Sequence, residues 1–502
     1  MISNTKSYGA LPEIEPMRTY DYEILCGASS NVSNSKYPKE FIIDKKRLGR
    51  LKDQGLISCC VGCVMSSITE VFNLIEQYGE NISDEQWKEI TDTLGVNVEF
   101  SEGWAYGALR EDYYGEGMFT LNAIKNWNKK GIVPKKYFNL LEEMPDMHAA
   151  VKKFPELQEK AMPYKIKSYA SLNYANTSKK DLAIKDALMK YGVGLVGVSN
   201  SYFGGSHCIT VVGWNDKTDS YKIKNSWGKD WGDENGVGEI PKHHLDSVYL
   251  VLDEEFVLPF SDVKEEDWFK KDVQNMYFAG LIKGITNTEY APLQEATRGE
   301  VATIIERIIN LTFERIELSL KVANQKISIN IEEIMQEIKN TSNYKMSFVD
   351  VQPDSWYFNS IKNMYEIGLI KGITDTEYQP EKNVTRAEIA TLCVRTCDFI
   401  IDKLKIALKN CNKLTISQEN KLIQLIHNEL PQYKDVPETD ENGSPIWYYN
   451  YINKAYQLGI MSGVDQNNFE PERNVNRAEI AAIVSRLAKY LDIKNNILVE
   501  IF

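Results

Sequence analysis

Between Cys60 and Ile75 the apolar residues Val61, Val64, Ile68, Val71, Phe72 and Ile75 recur three and four positions apart, the spacing that gathers one face of a helix. A cysteine therefore opens a predicted helix. Further on, the run Gly204-Gly205-Ser206-His207-Cys208-Ile209-Thr210-Val211-Val212-Gly213-Trp214 is of strand type, and after a polar turn Tyr221-Lys222-Ile223-Lys224-Asn225-Ser226-Trp227 supplies a second strand. Paired as a hairpin, these strands bring His207 near Asn225.

From Phe260 onward one pattern occurs three times. Its first copy holds Phe260-Ser261-Asp262-Val263, Trp268-Phe269, Gly280-Leu281-Ile282-Lys283-Gly284 and Thr297-Arg298-Gly299-Glu300. The second holds Phe348-Val349-Asp350-Val351, Trp356-Tyr357, Gly368-Leu369-Ile370-Lys371-Gly372 and Thr385-Arg386-Ala387-Glu388. The third holds Tyr433-Lys434-Asp435-Val436, Trp447-Tyr448, Gly459-Ile460-Met461-Ser462-Gly463 and Asn476-Arg477-Ala478-Glu479, with extra residues between Asp435 and Trp447. After each Trp, apolar residues at helical spacing run up to the glycine-bounded loop, and Thr or Asn stands where it can cap a second helix. Each copy is predicted as helix, loop, helix. Residues 312–347 and 401–432, rich in Lys, Glu, Ile, Leu and Asn, read as helical inserts between copies.

The chain has 502 residues, enough for about three domains, and a net charge of −13. That charge repels a phosphate backbone, so nucleic acid is not an expected partner. No apolar stretch is long enough to span a membrane, and the first residues carry no signal-peptide pattern. The eight cysteines are crowded or scattered rather than laid out as a framework, and free thiols are expected.

A cysteine at a helix N-terminus is held toward the thiolate by the helix dipole, and a thiolate is the form that attacks a carbonyl. His207 is the candidate base, and the Asn225 amide oxygen can hold one imidazole nitrogen so that the other faces the thiol. Cys59, Cys60 and Cys63 compete as the nucleophile. A Cys60-x-x-Cys63 spacing also fits redox or zinc chemistry, but no second pair or histidine cluster completes a four-ligand site. No metal or cofactor is expected. His148, His243, His244 and His427 read as structural or solvated.

At these residues the chain resembles the papain family of cysteine peptidases, across roughly 39–245. Gln54-Gly55, the Cys60 helix, Ser206-His207-Cys208 and Asn225-Ser226-Trp227-Gly228 follow in the family's order. The resemblance implies Cys60 as nucleophile, six residues after an oxyanion-hole Gln54, with His207 as acid/base, Asn225 as orienter and Trp227 as a shield over their bond. Ile57 and Val61 depart from the commoner cysteine and tryptophan of the family.

The three copies resemble surface-layer homology domains. In that family three copies form a pseudo-threefold body that binds an anionic, often pyruvylated, secondary cell-wall polysaccharide. Arg298, Arg386 and Arg477 would grip its carboxylates in bidentate fashion, with Trp268, Trp356 and Trp447 as further contacts. The alternative is that each Arg pairs with a nearby Glu and each Trp is core. Gly299, Asn476 and Met461-Ser462 depart from the pattern, so copies one and three are expected to bind less well than copy two.

The expected architecture is an α+β papain-like peptidase, helical left lobe and β-barrel-like right lobe, followed by an all-α-dominated three-repeat pseudo-trimer. Its divisions are an N-terminal extension 1–38, peptidase 39–258, repeats 259–311, 348–400 and 433–502, and inserts 312–347 and 401–432. The expected function is a wall-anchored cysteine endopeptidase at the bacterial surface, acting on protein or peptide through a thioester. Two alternatives stand beside it: a wall-lytic enzyme released from a phage-like particle or a lysed cell, and a structural surface protein with a silent peptidase fold. The pocket walls fall in segments such as 104–135, where the resemblance is loose, and the bond preference stays open.

Overall fold

The computed structural model describes residues 10–11, 37–79, 82–93, 99–110, 116–141, 144–174, 176–322, 345–410, 415–427 and 429–501. Residues 1–9 and 12–36 of the foreseen N-terminal extension, and 323–344 and 411–414 of the foreseen inserts, lie outside them. Two compact units divide at Val257 and Leu258.

In the first unit β1 (Ala10–Leu11) and β2 (Glu40–Ile42) precede α1 (Cys60–Tyr78), α2 (Asp84–Thr93), α3 (Glu102–Ala108), β3 (Met118–Phe119), α4 (Thr120–Lys130), α5 (Met144–Lys152) and α6 (Leu157–Ala161). Then come β4 (Ser168–Ser171), α7 (Thr177–Tyr191), β5 (Leu195–Ser199), β6 (His207–Asn215), β7 (Ser220–Lys224), β8 (Val237–Pro241) and β9 (Ser247–Leu252). Helices thus dominate the first half and strands the second. A seven-stranded sheet runs β4-β9-β5-β6-β7-β8, every pairing antiparallel, with β2 joined to the far end of β6.

Helix α1 packs against both α3 and β6, which is why its residues from Cys60 to Val71 are buried on every side rather than along one stripe. Its buried polar side chains are satisfied locally: Ser66 and Thr69 donate to the Cys63 and Met65 carbonyls, and Glu70 accepts from Lys52 Nζ at 2.5 Å. Strand β6 carries α1 and α7 and is buried along Cys208–Trp214. The β6–β7 register pairs Thr210 with Lys224, so His207 and Asn225 emerge at the same end of the hairpin.

The second unit comprises α8 (Lys270–Phe278), α9 (Arg298–Val322), α10 (Phe358–Glu366), α11 (Arg386–Asn410), α12 (Ile416–Ile423), α13 (Tyr449–Gln457) and α14 (Arg477–Ile501). Helices α9 and α11 run on past 311 and 400, because neither Pro nor Gly interrupts them there. Each of the three long helices starts with a reciprocal cap, as in Thr385, whose N–H donates to Glu388 Oε2 at 2.9 Å while Glu388 N–H donates back to Thr385 Oγ1 at 3.3 Å.

The repeated signature residues have repeated jobs. Asp262, Asp350 and Asp435 each accept two consecutive backbone N–H groups, and the second of each pair, Ala291, Gln379 or Glu470, lies at φ 56°, 58° or 59°. The carboxylate holds a turn that the side chain there does not favour. Gly284, Gly372 and Gly463 lie against Phe260, Phe348 and Tyr433, where a Cβ would come within 2.5 Å of the ring. One apolar core draws on all three copies.

Candidate functional site

Cys60 is the first residue of α1, and its Sγ accepts the backbone N–H of Cys208 at 3.3 Å. His207 is covalently adjacent to that N–H. Its Nε2 lies 2.7 Å from Asn225 Oδ1. Asn225 Oδ1 also accepts the Ser226 N–H at 2.7 Å, so the amide is fixed by its own chain. Cys60 and His207 are both fully buried. Burial pulls the His207 imidazole down to about 4, with the Asn225 bond opposing it. Imidazolium is therefore stable here only beside an anion such as a thiolate.

The neighbouring thiols are pushed the other way. Cys59 is raised by its contact with Cys63, whose Sγ is 3.8 Å away, and by burial; Cys208 is raised by burial. Cys59 caps α1 without a side-chain hydrogen bond. The described cysteines 59, 60, 63, 208, 393 and 397 are free thiols.

Gln54 is buried, with Nε2 donating to Ile57 O at 2.9 Å and Oε1 accepting from Ser226 Oγ at 2.6 Å. Trp227 lies with its ring 4.9 Å from that of His207, tilted 36°. Phe203 stands 5.0 Å from His207 and 5.4 Å from Trp227, and Trp231 is 6.4 Å from both Phe203 and Trp227. Phe203 and Trp227 therefore pack on the His207 ring, and Trp231 packs on both of them.

Phe203 gave no signal in the sequence, because it belongs to a loop, while Ser226 and Trp231 entered only as members of the block that runs from Lys224 to Gly236. Ser58 Oγ donates to Glu116 Oε2 at 2.8 Å, placing an exposed carboxylate two residues upstream of Cys60. Residues 111–115, within the foreseen pocket walls, lie outside the described residues. His148 Nδ1 lies 3.1 Å from Gly107 O, His427 stacks on Tyr456, and the His243 and His244 rings meet at a tilt of 38°.

In the second unit the repeated arginines close a ring. Arg298 donates to Tyr378 O, Lys371 O and Glu388 at 2.9, 2.9 and 3.1 Å. Arg386 donates to Phe469 O at 2.7 Å and Ser462 O at 2.8 Å, and lies 3.9 Å from Glu479. Arg477 donates to Tyr290 O at 2.7 Å, Lys283 O at 2.5 Å and Glu300. Copy one thus grips two, two grips three, and three grips one. Each guanidinium also covers the ring whose carbonyl it binds, 4.6–4.7 Å from the centroid.

The repeated tryptophans are outside the core: Trp268, Trp356 and Trp447 are 65%, 63% and 55% exposed. Trp356 lines a pocket of about 400 Å³ with Lys283, Tyr290, Glu300, Arg307 and Arg477. Lys283 and Arg307 are two cations on one wall; the Arg307 charge pulls the Lys283 ammonium down, and burial lowers Arg307. Neither was singled out in the sequence, because their meeting in one pocket depends on the loop that brings 283 back beside α9.

A family model described as "Papain family cysteine protease" matches residues 15–245, and one described as "S-layer homology domain" matches 259–302, 347–390 and 432–481. Among curated proteins, an amylopullulanase of Thermoanaerobacterium thermosulfurigenes is 24% identical over 230 residues, 46% of this chain and 9% of its own length. A surface-layer 125 kDa protein of Lysinibacillus sphaericus is 23% identical over 232 residues, 46% of this chain and 15% of its own. The chain thus spans less than a fifth of either relative. Among solved structures, xylellain, a cysteine protease from Xylella fastidiosa, is 20% identical with a TM-score of 0.37, covering 50% of this chain and 97% of that one.

Proposed function

We propose that this chain, whose first half is a papain family cysteine protease domain and whose second half carries three S-layer homology domains, is a peptidase held at the bacterial wall. Cys60 thiolate attacks the carbonyl carbon of a peptide bond. The negative charge moves to the carbonyl oxygen, where the Gln54 amide and the Cys60 backbone N–H receive it. His207, charged by the Cys60 proton, gives that proton to the leaving amine as the C–N bond breaks. A thioester remains. Water then attacks it, His207 takes the water's proton and returns it to the departing thiol, and the acid product leaves. Asn225 holds the ring so that Nδ1 stays toward sulfur throughout. The observation that carries this reading is the 2.7 Å His207–Asn225 bond beginning one residue from the N–H that binds Cys60 Sγ.

The repeat module supplies location. Lys283, Arg307 and Trp356, in the pocket that Arg477 also lines, suit an anionic sugar: two cations for a carboxylate and an exposed ring for a pyranose face. Arg477 lines this pocket while its guanidinium is held by Tyr290 O, Lys283 O and Glu300. Secondary cell-wall polysaccharide is the partner this assigns. The test is cleavage of denatured casein and of purified wall by the full chain and by Cys60→Ala. Casein cleavage lost in the variant supports the peptidase; clearing of wall without casein cleavage favours a cross-link hydrolase; activity surviving in Cys60→Ala removes the reading.

A further inference from the structure

Lys224 carries a charge into the protein at a point the peptidase mechanism leaves unused. It ends β7, one residue before Asn225, and is 3% exposed. Its Nζ donates to Leu48 O at 2.7 Å, Arg50 O at 2.5 Å and Ser67 Oγ at 2.9 Å. An ammonium has three protons, and each has its own acceptor here. Leu48 and Arg50 belong to the stretch leading to Gln54. Ser67 lies in α1, two turns beyond Cys60. Gly49 shows how closely stretch and helix meet: a Cβ there would lie 2.6 Å from Ser67 Oγ, and its φ is +69°.

We propose that Lys224 is a positioning residue of the peptidase, its ammonium pinning the strand end that carries Asn225 to the stretch that carries Gln54 and to the helix that carries Cys60. This rests on the peptidase reading above. The charged or titratable groups facing Lys224 are Glu70 and Cys63 of α1 and Lys52 of the leading stretch, while its partners across the sheet, Thr210 and Val237, bring none. Glu70 is engaged by Lys52 Nζ and by the Arg50 and Phe100 N–H groups. Lys224 therefore rests on uncharged acceptors, and burial pulls it down to about 7, with Glu70 opposing. Once neutral, the amine has two protons for three acceptors. One anchor is lost, and the alignment of Cys60 with Asn225 and Gln54 loosens while the substrate pocket stays intact. The consequence falls on kcat rather than KM and forms an alkaline limb.

The experiment follows kcat and KM on a fluorogenic peptide from about pH 5 to about pH 10, across the range where amine and imidazole groups titrate. The full chain is compared with Lys224→Met, Lys224→Arg and Ser67→Ala, with iodoacetamide alkylation of Cys60 measured in parallel. Lys224→Met is expected to lower kcat by about tenfold or more, with little change in KM, as misplacement of reacting groups does. Ser67→Ala removes one acceptor, so its alkaline limb moves to lower pH even if Lys224→Met fails to fold. Lys224→Arg keeps the charge, and where it folds its limb moves up. A Ser67→Ala profile superimposable on wild type, or wild-type kcat in a folded Lys224→Met, overturns the proposal. Failure of the peptidase reading looks different: wild type itself neither cleaves nor alkylates at Cys60 ahead of its other thiols, and both readings fall.

Discussion

His207 is enclosed by Asn225, Phe203 and Trp227, and burial governs its protonation. On the proposed mechanism, a Cys60 thiolate would hold the His207 imidazole in its charged form. Removing the thiol with Cys60→Ala should leave His207 neutral down to about pH 4. Ring-proton NMR checks this; a His207 still charged near its ordinary value of about 6.5 contradicts it. The sign for stability follows. In that variant the unfolded chain binds the His207 proton at higher pH than the folded one, so stability is complete above about pH 6.5 and falls by up to about 3 kcal/mol as pH drops toward 4. Denaturant titrations at several pH values measure it. At the same scale, Gln54→Ala should cut kcat by about 100-fold or more, as loss of an oxyanion donor does. Ser226→Ala, which frees the Gln54 amide without removing it, should act in the same direction and less, with single-turnover acylation as the readout.

At the scale of elements, the repeats are held by interlocks more than by caps. Arg386→Ala leaves the Phe469 and Ser462 carbonyls without their donor and should cost about 2–4 kcal/mol, read from the unfolding of the full chain. Arg386→Lys should rescue little of it, because one ammonium does not reproduce the planar fork that reaches both carbonyls. This is also where the limits of reading the sequence are plainest. Helix α1, the β6–β7 hairpin and the helix-loop-helix copies were legible because periodicity and caps are local. The repeated Arg was legible as a repeat, yet its partners lie in the next copy, some 70–90 residues along or, for Arg477, far back in the chain, and no local pattern carries that. Phe203 escaped for the same reason: a loop residue that covers a histidine has no period to betray it. Likewise Lys224 reads as the polar member of a strand until the stretch at 48–50 and Ser67 are seen around it.

For the whole molecule, the net charge of −13 sets a long-range repulsion against any anionic wall polymer, which, on the proposed reading, the cations of the repeat pocket would overcome at short range. Lys283→Ala combined with Arg307→Ala should therefore lower retention on purified wall by about tenfold or more, given what charge-assisted hydrogen bonds contribute, while cleavage of a soluble peptide stays unchanged. On the proposed reading, holding the enzyme at the wall would raise the effective concentration of wall-bound protein substrates without any change in the site itself. All of this depends on one element of the proposal, an activated thiol at position 60. The most direct measurement is labelling of the purified full chain with an epoxide or iodoacetamide reagent at about pH 5, where an ordinary thiol is almost wholly protonated, mapped by mass spectrometry and repeated on His207→Ala. Rapid modification at Cys60 alone, lost in the variant, is the expected result; slow and equal modification of the cysteines, unchanged by the variant, contradicts the account.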